Sequence, residues 1–98
     1  MDKDAIMLEQ MGTALTTLQI KYRGSKLADR VKLKPKLEKL LQDYTDYQLR
    51  LIDEGIITTD EDLAEMEKLT TAIDKAARAQ QLAAAIAKTV AFIATKAV

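Results

Sequence analysis

The side chains that could do chemistry are first of all a run of carboxylates, Asp53, Glu54, Asp60, Glu61 and Asp62. Such a run invites a test for a calcium loop. An EF-hand loop needs Gly at its sixth position, so Gly55 would place Arg50 at the first ligand position. A guanidinium cannot ligate a cation, and the run is read instead as helix-terminus charge. Asp60, Glu61 and Asp62 would favour the positive end of a following helix dipole. The chain has no His and no Cys. That excludes zinc fingers, haem ligation by either residue, a Cys nucleophile, a His general base and the His-dependent carboxylate-bridged di-iron bundle. No Gly-x-x-x-x-Gly-Lys loop is present to cradle phosphate. Paired carboxylates do acid–base work only inside a pocket, and nothing singles out one pair. No catalytic, cofactor-binding or metal-ligating residue is assigned, and the chain is read as not an enzyme.

A second chemistry is electrostatic. Fifteen basic side chains offset fifteen acidic ones, but they are segregated. Residues 21–39 carry eight basic and two acidic side chains, and residues 40–67 carry nine acidic and one basic. The eight cations are Lys21, Arg23, Lys26, Arg30, Lys32, Lys34, Lys36 and Lys39. They form a candidate patch for phosphate contacts or for an acidic protein surface. Against nucleic acid, the chain is not basic overall and only Tyr22 lies within the block to stack on a base. Opposite blocks on neighbouring helices, within a chain or between chains, set register and pairing. That is the preferred reading.

These groups must be positioned by helices. The 98 residues include three Gly and one Pro, and 48% are apolar, mostly aliphatic or Ala. This fits a single helical domain over 1–98. The N-terminus is acidic and lacks the basic start and apolar core of a signal peptide, so a cytoplasmic location is expected. No uncharged apolar stretch reaches 18 residues, so no membrane-spanning helix is expected.

The spacing of Leu8, Met11, Leu15, Leu18 and Tyr22 predicts a first helix over about 4–23, capped by Asp2 or Asp4 and ended at Gly24. Gly12 inside it is a candidate for a close helix crossing. Pro35 suits a first helical turn, so a second helix is expected over about 35–54, with its stripe on Leu37, Leu40, Leu41, Tyr44, Tyr47, Leu51 and Ile52. Leu27 and Val31 could add a turn or two upstream. Glu54-Gly55-Ile56 reads as a helix end with Gly in the left-handed conformation and Ile56 packing back. Thr58 or Thr59 would cap a third helix, each with an acidic residue three positions on. The short turn makes helices two and three antiparallel neighbours.

The third helix is expected over about 59–97. At 1.5 Å per residue it would be about 57 Å long, against roughly 35 Å for a domain of this size. It must break, with 78–82 the expected place, or protrude, or belong to an elongated bundle. Its apolar face also rotates. The Leu63, Met66, Leu69, Ile73 stripe and the Leu82, Ile86, Val90, Ile93 stripe differ by roughly 130°. Ala84, Ala87 and Ala91 continue near the first. So wide an arc exceeds what one neighbouring helix covers, which makes 82–98 a candidate association segment. Its association residues are Leu82, Ile86, Val90, Phe92 and Ile93. Phe92 falls between Lys88 and Lys96, either packed beneath another element or open to a partner.

The stretch from Leu51 to Glu61, Leu-Ile-Asp-Glu-Gly-Ile-Ile-Thr-Thr-Asp-Glu, resembles the short bacterial SHOCT segment. That segment reads approximately as Leu, acidic, Gly-Ile-Ile-Thr, then acidic residues and an aromatic. Here Asp62 stands at the aromatic position, the overlap is under a fifth of the chain, and no family membership follows. The resemblance implies an association role.

The sequence therefore predicts an all-α, three-helix antiparallel bundle with a long C-terminal helix, completed by dimerisation. The expected function is that of a small bacterial-type interaction, adaptor or regulatory protein, coiled-coil-like, self-associating and binding a protein partner. Nucleic-acid binding through 21–39 and peripheral membrane association through 82–98 are the alternatives.

Overall fold

Asp2 starts the first helix. Its backbone is extended, and its carboxylate accepts the amides of Asp4 at 3.0 Å and Ala5 at 3.2 Å, two of the donors a helix start leaves free. The computed structural model describes residues 2–55 and 57–96. Over these it contains four helices: α1 (Lys3–Arg23), α2 (Leu27–Asp53), α3 (Asp60–Lys75) and α4 (Ala79–Ala94). The chain measures 41 × 22 × 18 Å, with a radius of gyration of 13.3 Å.

Two boundaries differ from the sequence expectation. The second helix begins at Leu27, and Pro35 lies inside it. Leu33 is buried on the stripe that continues through Leu37 and Leu40, so packing holds the upstream turns. Pro35 is exposed and Val31, four residues before it, stands in solvent. The missing amide thus falls on the wet side of the helix, where water satisfies the freed carbonyl at least cost. The same rotation leaves Ile52, expected in the core, 62% exposed.

The long third helix is two helices, broken at 76–78, just before the expected 78–82. Ala76 and Arg78 are extended, without any Gly or Pro. Side chains pin both ends of the break. The Lys21 ammonium donates to the carbonyls of Ile73, Asp74 and Ala76 at 2.7, 2.7 and 2.8 Å, a cation on the negative end of α3. Gln81 Oε1 accepts the amides of Ala77 and Arg78, which caps the start of α4. The three-helix bundle is thereby corrected to four helices.

The turn between α2 and α3 agrees in its local chemistry. Gly55 is left-handed, at φ 67°. Thr59 Oγ1 accepts the Asp62 amide while Asp62 Oδ2 accepts the Thr59 amide, the reciprocal capping box. The expected packing of Ile56 falls outside the described residues, as do positions 97 and 98 of the expected tail. At the other end of α1, Gly24 is right-handed, and Ser25 Oγ closes the turn by donating to the Lys21 carbonyl.

The global path differs. α1 and α2 form one antiparallel hairpin, α3 and α4 another. The hairpins lie side by side with α3 along α1 and α4 along α2. α2 and α3 are antiparallel but sit on the long diagonal, not as neighbours. The cause is Asp4. Its buried carboxylate accepts the backbone amides of Ile57 and Thr58, drawing the connection across the end of the bundle and seating α3 on α1. The core then gathers from all four helices, with Met7, Met11, Leu18, Leu40, Met66, Ile73 and Ile86 almost fully buried.

Candidate functional site

The tail predicted to associate lies inside the chain's own core. Leu82, Ile86, Phe92 and Ile93 are each under 8% exposed, and Val90 is partly buried against the same cluster. The break at 76–78 folds α4 back between α2 and α3, so its wide apolar arc is covered within one chain. Over the described residues 82–96, the expected association residues are therefore taken up within one chain. Phe92 is packed, with Lys96 Nζ 5.4 Å from its ring centroid. Lys96 also pairs with Asp62.

Around that pair is a polar knot at the end of the bundle where the α2–α3 connection crosses. Burial alone would push the Asp62 carboxyl up. Hydrogen bonds from Lys96 and Thr59 outweigh it and hold the group below its ordinary value. Tyr47 is 3% exposed. Burial, and then the charge of Asp62, push its hydroxyl up to about 12. Arg50 donates to the Lys96 carbonyl and to Glu54. Asp62 and Lys96 join α3 to the end of α4, and Arg50 joins α2 to the Lys96 carbonyl, so the knot ties chain segments together. Among the described residues no three carboxylates converge to hold a metal ion.

The basic block is not one surface. Lys21 is committed to the end of α3. Lys34 and Lys39 pair along α2 with Glu38 at 3.9 Å and Asp43 at 3.2 Å. Arg30 is half-buried, while Arg23, Lys26, Lys32 and Lys36 are exposed. At 100° per residue Arg30 and Lys34 lie on one side of α2, and Lys32, Lys36 and Lys39 about 120–180° away. A groove-tracking phosphate stripe would need them aligned.

What the structure does expose is apolar. Ile20, Leu27, Val31, Leu49 and Ile52 are 54–69% exposed. Single exposed aliphatics are ordinary, but four of these five belong to α2. On its helical wheel Leu27, Val31, Leu49 and Ile52 fall within an arc of about 60°, on the side turned away from α1 and α4. α2 spans about 40 Å at 1.5 Å per residue, the length of the molecule. Residues 26–39 on it carry six basic and two acidic side chains, and residues 40–54 four acidic and one basic. α2 is therefore basic along its first half and acidic along its second, with an apolar pair near each end of one face.

Sequence reasoning missed this face because it began the helix at Pro35 and so never placed Leu27 and Val31 on the wheel that carries Leu49 and Ile52. The signal was the Leu27–Val31 spacing, which continues through Pro35 without a change of phase. No helix among the described residues is long and apolar enough to cross a membrane. The chain matches no protein-family model, no curated protein and no solved structure at a level that carries an inference.

Proposed function

We propose that this is a non-catalytic helical interaction protein that docks another helix along the outer face of α2. The observation that carries the reading is the alignment of four exposed aliphatics on one arc of the longest helix. Exposed aliphatics gathered on one face mark association sites, and a helix face read at spacings of three and four is how one helix engages another. The polar knot is compatible with this reading, since Asp62, Lys96, Arg50 and Glu54 are engaged with one another or with backbone. Phosphate binding is less favoured, because Lys21 is held by α3 and the remaining cations fan around α2.

Photo-crosslinking in the cells that make the protein tests this. A photoreactive residue at Leu27 or Leu49 should give discrete covalent adducts. The same residue at exposed Glu67 on α3 should give none. Equal yields at all three positions, or none at any, would defeat the reading.

A further inference from the structure

We infer that the helix docked on α2 is α2 of a second copy, antiparallel, about a two-fold axis near Lys39 and Leu40. This deepens the interaction reading and rests on it.

The argument begins with spacing. Leu27, Val31, Lys34, Glu38, Leu41, Thr45, Gln48 and Ile52 follow one another at alternating steps of four and three, the rhythm of a helix-pairing seam. Leu49 stands beside Gln48 on the same arc. An antiparallel two-fold midway between Lys39 and Leu40 maps this seam onto itself. Leu27 then faces Ile52 of the second copy, and Val31 faces the Gln48–Leu49 pair. Two identical four-residue aliphatic clusters close, one at each end of the seam, and Lys34, Glu38 and Thr45 occupy its middle. An interface that pairs one patch with itself is what a two-fold dimer requires.

Charge selects the direction. In a parallel pair the basic first halves would face each other, and so would the acidic second halves. Antiparallel pairing sets each basic half against an acidic half, with Lys34 on the seam itself. Complementary blocks favour one orientation and penalise the other. Within one chain the blocks have no such partner. α2 packs on α1 and α4, and its own ion pairs, Lys34–Glu38, Lys39–Asp43 and Arg50–Glu54, are local steps of four residues. Complementarity that the monomer leaves unused is matched by a second copy of the same helix.

Sedimentation equilibrium of the purified protein between 10 and 200 µM tests the pairing. The wild type should approach twice its 10.9 kDa mass. Leu27→Asp with Ile52→Asp should raise the dimer dissociation constant at least tenfold while leaving the helical circular dichroism unchanged, because both side chains are exposed in the single chain. Lys34→Glu should weaken the dimer, as should Asp46→Lys with Asp53→Lys. An equimolar mixture of these two variants should regain it as a heterodimer.

Direction is read by disulfides, since the chain has no Cys of its own. Leu27→Cys mixed with Ile52→Cys should oxidise mainly to the mixed disulfide. The antiparallel seam holds two copies of position 27 about 37 Å apart. A predominance of 27–27 and 52–52 disulfides would overturn the antiparallel register. A wild type that remains monomeric at 200 µM would overturn self-pairing altogether. Crosslinks from Leu27 and Leu49 to a product of some other mass would then leave the broader interaction reading standing, whereas absence of any crosslink would remove both.

Discussion

The carboxylate of Asp4 accepts the backbone amide of Thr58 at 2.9 Å, across 54 positions of sequence. The Ile57 amide reaches the same carboxylate at 3.1 and 3.2 Å. A residue in the first turn of α1 thereby fixes where the α2–α3 connection crosses the bundle. Asp4→Ala should leave a buried amide at Thr58 and a partly buried one at Ile57 without an acceptor and cost about 3 kcal/mol. Asp4→Asn keeps an acceptor oxygen but not the charge and should cost less. Urea denaturation monitored by circular dichroism gives both values, and an Asn variant as stable as the wild type would mean the contact is not a charge-assisted one.

At the opposite end, Lys21 closes the last turn of α3. Lys21→Met keeps much of the apolar stem and removes three donors, with an expected loss of about 1–2 kcal/mol. Lys21→Arg should recover less than half of that, because a planar guanidinium cannot converge on three carbonyls as an ammonium does. Amide exchange should localise the loss to residues 73–78. A uniform loss of protection over the bundle would contradict a local role.

Two glycines should respond with opposite sign. A Cβ on Gly55 would touch nothing within 4 Å, but the residue sits at φ +67°. Gly55→Ala should therefore destabilise by about 1 kcal/mol through the backbone alone. A Cβ on Gly12, inside α1, would lie 3.7 Å from Tyr44 Oη, an ordinary contact. Gly12→Ala should stabilise by about 0.5–1 kcal/mol. Thermal melts of the two variants should move in opposite directions.

The polar knot predicts loss of stability at both pH extremes. Asp62 is held below its ordinary value of 3.8 in the folded chain, so the unfolded chain takes up that proton first. The stability Asp62 lends is complete above the unfolded value and drains as pH falls through the lower folded one. Tyr47 runs the other way. Its hydroxyl titrates at about 12 when folded against 10.0 when unfolded, so its contribution is complete below pH 10 and lost between 10 and 12. Urea midpoints measured from pH 2 to 12 should fall at each end. Asp62→Asn should flatten the acid limb and Tyr47→Phe the alkaline limb.

The buried tail gives the last test. Ile86 and Ile93 are 1% and 4% exposed. Ile86→Asp with Ile93→Asp should unfold the single chain, because each substitution buries a carboxylate among aliphatics. A folded double variant that had only changed its mass would return α4 to the surface.

Local signals are legible in the sequence, and long-range ones are not. The Thr59–Asp62 box, the left-handed Gly55 and the Asp2 cap depend on residues within three or four positions of one another. Pro35 misled because its cost depends on which face it occupies, and that is set by the burial of Leu33 and Leu37. The break at 76–78 has no Gly or Pro to announce it. It is held by Lys21 and Gln81, one of them more than fifty residues away. Locally, Lys21 looks like a surface cation and Asp4 like a helix-start charge, since nothing nearby in sequence reveals that each reaches a distant backbone. The α2 face was hidden for the same reason as the true start of α2.

The charge order along α2 bears on how that helix holds together. A helix carries partial positive charge at its N-terminus and partial negative charge at its C-terminus. α2 places its cations towards the first and most of its carboxylates towards the second, so its side chains reinforce the backbone macrodipole where most helices oppose it. Asp29 in the first turn and Arg50 in the last offset only part of this. Detached from the bundle, α2 is a self-opposed helix that salt should strengthen by screening. Its 27-residue continuity therefore depends on packing against α1 and α4, and the proposed second copy would lay an opposing dipole along its outer face.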